Sequence, residues 1–541
     1  MDDDPNQPDP LPPAGTSTRP STDASVDTAT TSNRRANLLI GAVWAVALVA
    51  AVWIWSRDTM LQFRVLPTFY LMLAVGLLTL IWFAVAGPFA RRVRWTVSAT
   101  LFGAVVLFFV FFRIEQVSGD FFPTLTRRFG LKPDEQLAQK GEQVSTVEPR
   151  ALEGMRNWPQ FLGPERLGVV GDLKLSRDWT APPKEIWRRR IGAGLGGFAI
   201  AGGRLVTMEQ RGEKELITCY DAATGTMLWK QSESVRLDRE PIGGIGPRTT
   251  PTIDGDRVYT VGATGLLNCL DLATGDRHWR HDIVAEAGAS LNHWGMAGSP
   301  LIVDDVVVVN PGGEKDHSLV AYDKLSGEKK WASGGDRASY SSPMLAKLDG
   351  HRQILIFGHS GVWGHDATDG SVLWKIPWPG TKPKVAQPLV VGDNRLFLST
   401  HYDVGCALYE VTRGPEGNWA TRRLWKNLRL KSKFAHLVQR NGHVYGLNDG
   451  RLMCLDLTTG RPKWRGEWYG HGQMLLVDDL LLITTEDGEV VLVEASPRAF
   501  EEVARLKVFE DQSWNSPTLS GPYLFWRNSR EAVCLRLPLA P

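Results

Sequence analysis

The stretch CLDLTTGRPKWRG (454–466) occurs elsewhere in near copy. CYDAATGTMLWK (219–230) and CLDLATGDRHWR (269–280) place an Asp, a Thr-Gly pair and a Trp at the same offsets. AYDKLSGEKKW (321–331), GHDATDGSVLW (364–374) and, with an insertion, LYEVTRGPEGNWATRRLW (408–425) are related, whereas LVEASPRAFEEVARLKV (492–508) has lost both Gly and Trp. Such self-similarity constrains a fold more than any local propensity, because each unit must stack on its neighbours to bury its apolar face. The Trp residues that close the units are Trp187, Trp229, Trp279, Trp331, Trp374, Trp425 and Trp464, with a degraded position near Leu506. Their spacing runs from 39 residues (Trp425 to Trp464) to 52 (Trp279 to Trp331). That is the length of a four-stranded propeller blade.

One unit, PTIDGDRVYTVGATGLLNCLDLATGDRHWR (251–280), shows the pattern. Two alternating strands flank the turn Asp254-Gly255-Asp256, and a Gly-rich turn follows at 262–265. A third strand ends in Cys269-Leu270-Asp271, and the turn at Thr274-Gly275 leads to a fourth that ends at Trp279. Gly supplies the positive φ of a tight hairpin, and Asp can bond back to the turn amides. The last unit (516–538) lacks a fourth strand, while KEIWRRRI (184–191) is a fourth strand with no blade of its own. Pairing the two closes a ring and removes the open edges of an unclosed array. The expected fold is therefore all-β, an eight-bladed β-propeller of four-stranded blades with N-/C-terminal strand closure, preceded by three transmembrane α-helices.

Those helices are read from three uncharged apolar runs at 38–55, 65–86 and 95–112, each long enough to span a bilayer. Arg34 and Arg35 precede the first run, and Arg91, Arg92 and Arg94 separate the second from the third. This bias puts the N-terminus inside and everything after Arg113 on the periplasmic or extracytoplasmic side of an inner membrane. The spans hold no Asp, Glu, Lys or His, which favours an anchor over an ion path. Residues 1–33, rich in Pro, Asp, Ser and Thr, read as a disordered cytoplasmic tail. The expected domains are thus the tail, a three-helix anchor over 34–113, a linker over 114–156 and the propeller over 157–541.

A net charge of +2 argues against a nucleic-acid partner. The five Cys form no C-x-x-C and no zinc spacing, and read as small buried strand residues. GAGLGG (192–197) has the glycine spacing of a dinucleotide loop, but a strand-turn-strand pattern follows it, not the helix that such a loop requires.

The repeat resembles the pyrroloquinoline-quinone (PQQ)-type propeller repeat, with its Ala/Tyr-x-Asp-x-x-Thr-Gly-x-x-x-Trp core, and NWPQFLGPERLGV (157–169) is similar to the leader of many such propellers. The resemblance implies the fold, with the repeat motif at blade edges and its Trp packed between blades. It leaves function open. The family includes quinoprotein dehydrogenases, which hold PQQ and calcium over the ring centre. It also includes a cofactor-free lipoprotein scaffold of the outer-membrane barrel-assembly machinery.

A site is expected where the innermost strands begin, at Gly197, Thr250, Ser299, Ser342, Gln387, His436, Gln473 and Ser516. Candidate ligand-binding residues in and around this ring are Arg248, His293, Trp294, Tyr340, Gln387, His436, Trp514 and Asn515. PQQ has three carboxylates and a flat ring system, which Arg or Lys and Trp294 or Trp514 would suit. Calcium needs oxygen ligands with carboxylates among them, and no acidic residue falls at these positions; Asp336 and Glu209 are the nearest by register. The expectation is a membrane-anchored, outward-facing scaffold that binds a protein or envelope ligand, with no catalytic residue, metal or cofactor. The alternative is a PQQ- and calcium-dependent membrane dehydrogenase acting on an alcohol or sugar.

Overall fold

The structure, a computed structural model, describes residues 23–57, 62–140, 144–146, 148–313, 315–402 and 404–541. Most of the expected N-terminal tail, residues 1–22, lies outside the described residues. The chain divides into two compact units, a helical one that ends at Val110 and a second that runs from Phe111 to Pro541.

The helical unit consists of α1 (Asp23–Ser56), α2 (Gln62–Ala86) and α3 (Arg91–Phe111). α1 starts at Asp23, inside the segment expected as tail, because nothing between Asp23 and Arg34 breaks a helix. Arg34–Ser56, Phe63–Ala86 and Arg91–Phe111 have mean hydropathies of 2.4, 2.3 and 1.8 and are long and apolar enough to cross a membrane. The Trp44 and Trp55 indoles donate to the hydroxyls of Thr79 (3.2 Å) and Thr68 (3.1 Å), tying α1 to α2.

The second unit opens with an antiparallel hairpin, β1 (Phe112–Val117) and β2 (Pro123–Arg127), and a short helix, α4 (Pro133–Lys140). These elements occupy part of the stretch expected as linker. Arg236 pairs with Asp134 (2.7 Å), and Lys132 pairs with Asp238 and Glu240 (both 2.6 Å), which holds the start of α4 on the propeller.

Eight four-stranded sheets follow around a ring. Their innermost strands are Ala199–Ala201, Thr252–Asp254, Leu301–Val303, Met344–Leu348, Leu389–Val391, Val438–Arg440, Gln473–Val477 and Thr518–Ser520, here blades 1 to 8. Blade 8 takes its outer strand from β4 (Lys184–Arg190), which pairs antiparallel with Glu531–Arg536, the closure expected from the two orphan segments. Blade 7 gains a fifth strand, β3 (Val169–Val170), parallel to Gln473–Val477.

The repeated motif is a joint between blades. In blade 6, the Asp456 carboxylate accepts from the Thr459 amide (2.8 Å) and hydroxyl (3.0 Å), and it closes the turn that Gly460 completes at φ +67°. Across the gap, Trp425 of blade 5 donates to Leu457 O (2.9 Å). The same bond joins Trp187 to Ala222, Trp229 to Leu272, Trp279 to Lys324 and Trp464 to Ser496. Trp374 donates instead to Gln353 of its own blade (2.6 Å), because the insertion in blade 5 has replaced the Thr-Gly turn. In every blade the register between the third and fourth strands slips by one residue at this point, for example between Cys454 and Leu455. A bulge re-aims the next side chain, and here that side chain is the Trp. The register also corrects one expectation: blade 7 sets Ala504, not Leu506, at the Trp position, opposite Leu492. All five Cys are free and buried, and Cys219, Cys269, Cys454 and Cys534 each sit cross-strand from a joint Trp.

Candidate functional site

The central channel has two ends. At one, the loops that feed the innermost strands meet the loops between second and third strands; at the other, the innermost strands finish. The leader at 157–170 closes the second end. Trp158 bridges to Ile200, Pro159 O accepts from Ile253 N (2.7 Å), and β3 joins blade 7. Between these points the leader reaches up the channel. The Arg166 guanidinium donates to Ser299 O (3.1 Å) and Pro300 O (2.7 Å), and the Phe161 ring meets His436 edge-on at 4.9 Å.

The turn at 118–122, between β1 and β2, docks at the first end. Gly119 N donates to Glu486 Oε1 (2.6 Å), the Lys433 ammonium donates to Gly119 O, and Asp120 Oδ1 lies 3.4 Å from His471 Nε2. A Cβ at Gly119 would overlap the His471 ring. Glu486 also accepts from the Trp514 indole (3.0 Å), the Gln512 amide (2.6 Å) and His471 N (2.8 Å). Burial alone would raise the Glu486 carboxyl; His471 and the donors from Gly119, His471 and Trp514 outweigh it and hold the group below its usual value. Asp120, His471 and Glu486 bring ligand-type atoms within 4.8 Å of one another. Four donors already occupy the Glu486 oxygens, so the cluster fits a docking network and not a metal centre. Sequence reasoning missed both acids, since one comes from the stretch expected as linker and the other from a loop after a second strand.

Between the two closures lies a cavity of about 170 Å³, walled by Phe161, Trp294, Tyr340, Phe434 and Trp514. Among the described residues, no acidic one lines it. Arg248 is its cation, with Nε donating to Trp294 O (2.5 Å) and Nη2 to Gly243 O (2.6 Å). Burial lowers Arg248 to about 10 and His436 to about 4, the latter with Arg166 adding repulsion, so at neutral pH the first is charged and the second neutral. Gln473 donates to Phe434 O and Trp514 O (both 3.2 Å), and its buried Oε1 has no partner among the described residues.

Of the eight candidates from sequence, Arg248, Trp294, Tyr340, His436 and Trp514 line this cavity. His293, Gln387 and Asn515 do not. His293 is exposed, with its carbonyl taking Arg239 Nε (2.5 Å). Gln387 donates to Ser342 O (3.3 Å), and Asn515 donates to Gly194 O (3.0 Å) and Gly196 O (2.8 Å), tying blade 8 to the entry of blade 1. Glu209 and Asp336 are structural. Burial would raise Glu209, but Arg211 and Arg527 pull it to about 2, while Asp336 accepts from Ser360 N (2.9 Å) and the Trp363 indole (3.1 Å). The Phe161 and Phe434 walls went unread, because a lone Phe in a loop carries no pattern of its own. GAGLGG leads into the strand Ala199–Ala201, as its pattern implied.

PQQ does not fit these residues. One guanidinium, already engaged by two carbonyls, faces a tricarboxylate, and the cavity is about the size that accepts a benzene ring. Glu486, which accepts from the cavity-lining Trp514, already takes four donors, three on Oε1 and one on Oε2.

Fold and repeat together define an eight-bladed β-propeller whose repeat is similar to the PQQ type. Residues 213–466 match the family profile described as "Outer membrane protein assembly factor BamB". Proteins of that name from Moranella endobia (24% identical over 51% of this chain and 74% of the relative) and Bordetella pertussis (22%, 46% and 62%) are similar in sequence. The crystal structure of BamB from Moraxella catarrhalis, 16% identical, covers 66% of this chain and 99% of its own, with a TM-score of 0.49.

Proposed function

We propose that the chain is a membrane-anchored propeller, facing away from the cytoplasm, that binds a protein or envelope ligand without performing chemistry. The observation that carries this reading is the channel: its own leader and hairpin turn dock at its two ends, and among the described residues the acid beside the cavity, Glu486, is engaged by four hydrogen bonds. The similarity to proteins named as outer-membrane assembly factors supports a binding role. The three apolar helices and the Arg bias support the anchor and its orientation.

A photo-crosslinking residue at Ile242, 43% exposed and on the cavity lining, tests the reading in native membranes. One reproducible adduct, identified by mass spectrometry and lost when the residue is moved to the exposed strand Trp419–Asn427, is the expected result. Adducts no stronger than that control would count against it. In parallel, purified protein incubated with PQQ and calcium should show neither quinone absorbance nor dye reduction over an alcohol and sugar panel. Turnover would replace this reading with the dehydrogenase.

A further inference from the structure

The hairpin of β1 and β2 is amphipathic in the wrong sense for water. In a surface hairpin the apolar side faces the core and the polar side faces solvent. Here Arg113, Glu115 and Thr126 line a polar cleft against Arg190, Arg530 and Glu531 of blade 8, and Glu115 pairs with Arg530 at 2.6 Å. The opposite side carries the cross-strand pairs Phe112–Arg127 and Ile114–Leu125, all four exposed. Phe122 in the turn and Phe129 after β2 extend this surface; Phe129 is 74% exposed. Arg127 and Arg128 stand among these side chains, exposed. The register makes this arrangement rigid: a slip of one residue would turn the apolar set toward the charged cleft.

We propose that this outward surface rests in the lipid headgroup and upper acyl region of a bilayer, as an interfacial anchor distinct from the helices. Continuity along the chain supplies the occupant. α3, apolar and long enough to span, ends at Phe111, and β1 begins at Phe112 with no linker between them. Strand residues advance roughly 3.3 Å each, so Phe112 and Ile114 lie within about 10 Å along the chain of the end of such a span. Arg127 and Arg128 match the charge of anionic headgroups, and the Phe and Leu side chains match the boundary beneath them. This inference rests on the membrane reading given above.

Full-length protein in nanodiscs containing phosphatidylglycerol tests it. Because all five native Cys are buried, single Cys introduced at exposed positions can be labelled selectively. F129C and L125C report on the hairpin, L107C on α3, and E416C, on an exposed hairpin of blade 5, is the aqueous control. Quenching by lipids brominated high on the acyl chain should be several-fold stronger at 129 and 125 than at 416, with 107 quenched by deeper bromines. Quenching at 107 with 129 and 125 as unquenched as 416 would overturn the inference and leave the spans standing. Quenching at 129 and 125 without 107 would support the interfacial surface and remove the spans. No quenching at any of the three would remove both.

Discussion

The indole of Trp425 lies against Gly460 of the next blade so closely that a Cβ on Gly460 would stand 2.8 Å from Trp425 Cε3, while Trp425 Nε1 reaches Leu457 O at 2.9 Å. One contact thus explains two of the repeated residues. The Gly is required both by its left-handed φ of +67° and by the ring above it, and the Trp by the acceptor that the Asp-capped turn presents. Gly225, Gly275, Gly327 and Gly370 stand in the same steric relation to Trp187, Trp229, Trp279 and Trp331, although the buried Trp331 Nε1 finds no acceptor among the described residues.

Gly460→Ala should cost more than about 1 kcal/mol, since it adds backbone strain to a steric clash, and Trp425→Ala about 3–5 kcal/mol from the lost packing. The double variant should lose less than the sum, because both remove one joint. Urea unfolding of the three variants measures this, and strict additivity would break the proposed contact.

Docking of the hairpin turn depends on Glu486 and on the missing side chain at position 119. Glu486→Ala removes an acceptor of four hydrogen bonds and strands the buried donors, at about 1–3 kcal/mol for each donor left unpaired. Gly119→Val should free the turn by steric overlap with His471. In both variants the amides of 117–121 should exchange hydrogen at least tenfold faster, with the strands of blades 2 to 4 unchanged.

Glu215 is buried and accepts from Ala263 N (2.9 Å), and burial pushes its carboxyl up to about 7. The unfolded chain releases this proton near pH 4.5, before the folded chain does, so this group lowers stability as pH rises from about 4.5 to about 7. Glu215→Gln should remove that loss, for a gain over the native protein that grows across this window to at most about 3 kcal/mol. Chemical denaturation at pH 5 and pH 8 gives the comparison; an equal difference at both would refute it.

Closure rests on the pairing of β4 with Glu531–Arg536. A chain ending at Arg530 should lose cooperative unfolding and expose the edges of β4 and of the strand Tyr523–Arg527, with aggregation visible in light scattering. Retention of one sharp thermal transition would mean that the ring does not need this joint.

Arg248 is the charged group in the cavity and is held by two carbonyls. Arg248→Met keeps its bulk but leaves Trp294 O and Gly243 O without that donor. The loop at 241–244 should then exchange faster by about an order of magnitude, which hydrogen exchange resolves, and the crosslink expected from Ile242 should weaken.

The periodic Asp, Gly and Trp determined the blade count, the strand order within each blade and the composite closure, because every such joint is local in sequence and repeats. Apolar length and composition likewise marked the three helices. Five cavity residues, among them Arg248 and Trp294, were legible from their place just before or beside the innermost strands. What only the tertiary structure decided lies where one segment meets many blades. Gly119 and Asp120 look like ordinary turn residues until His471 and Glu486, more than 350 positions away, receive them. Phe161 becomes a cavity wall only because β3 and Trp158 draw the leader across the ring. Even the inverted face of the hairpin needed the register of β1 against β2 and the position of blade 8 to show which side was inside. A repeat encodes contacts between neighbours in its own spacing; a plug meets its partners through loop closures, whose geometry no local pattern records.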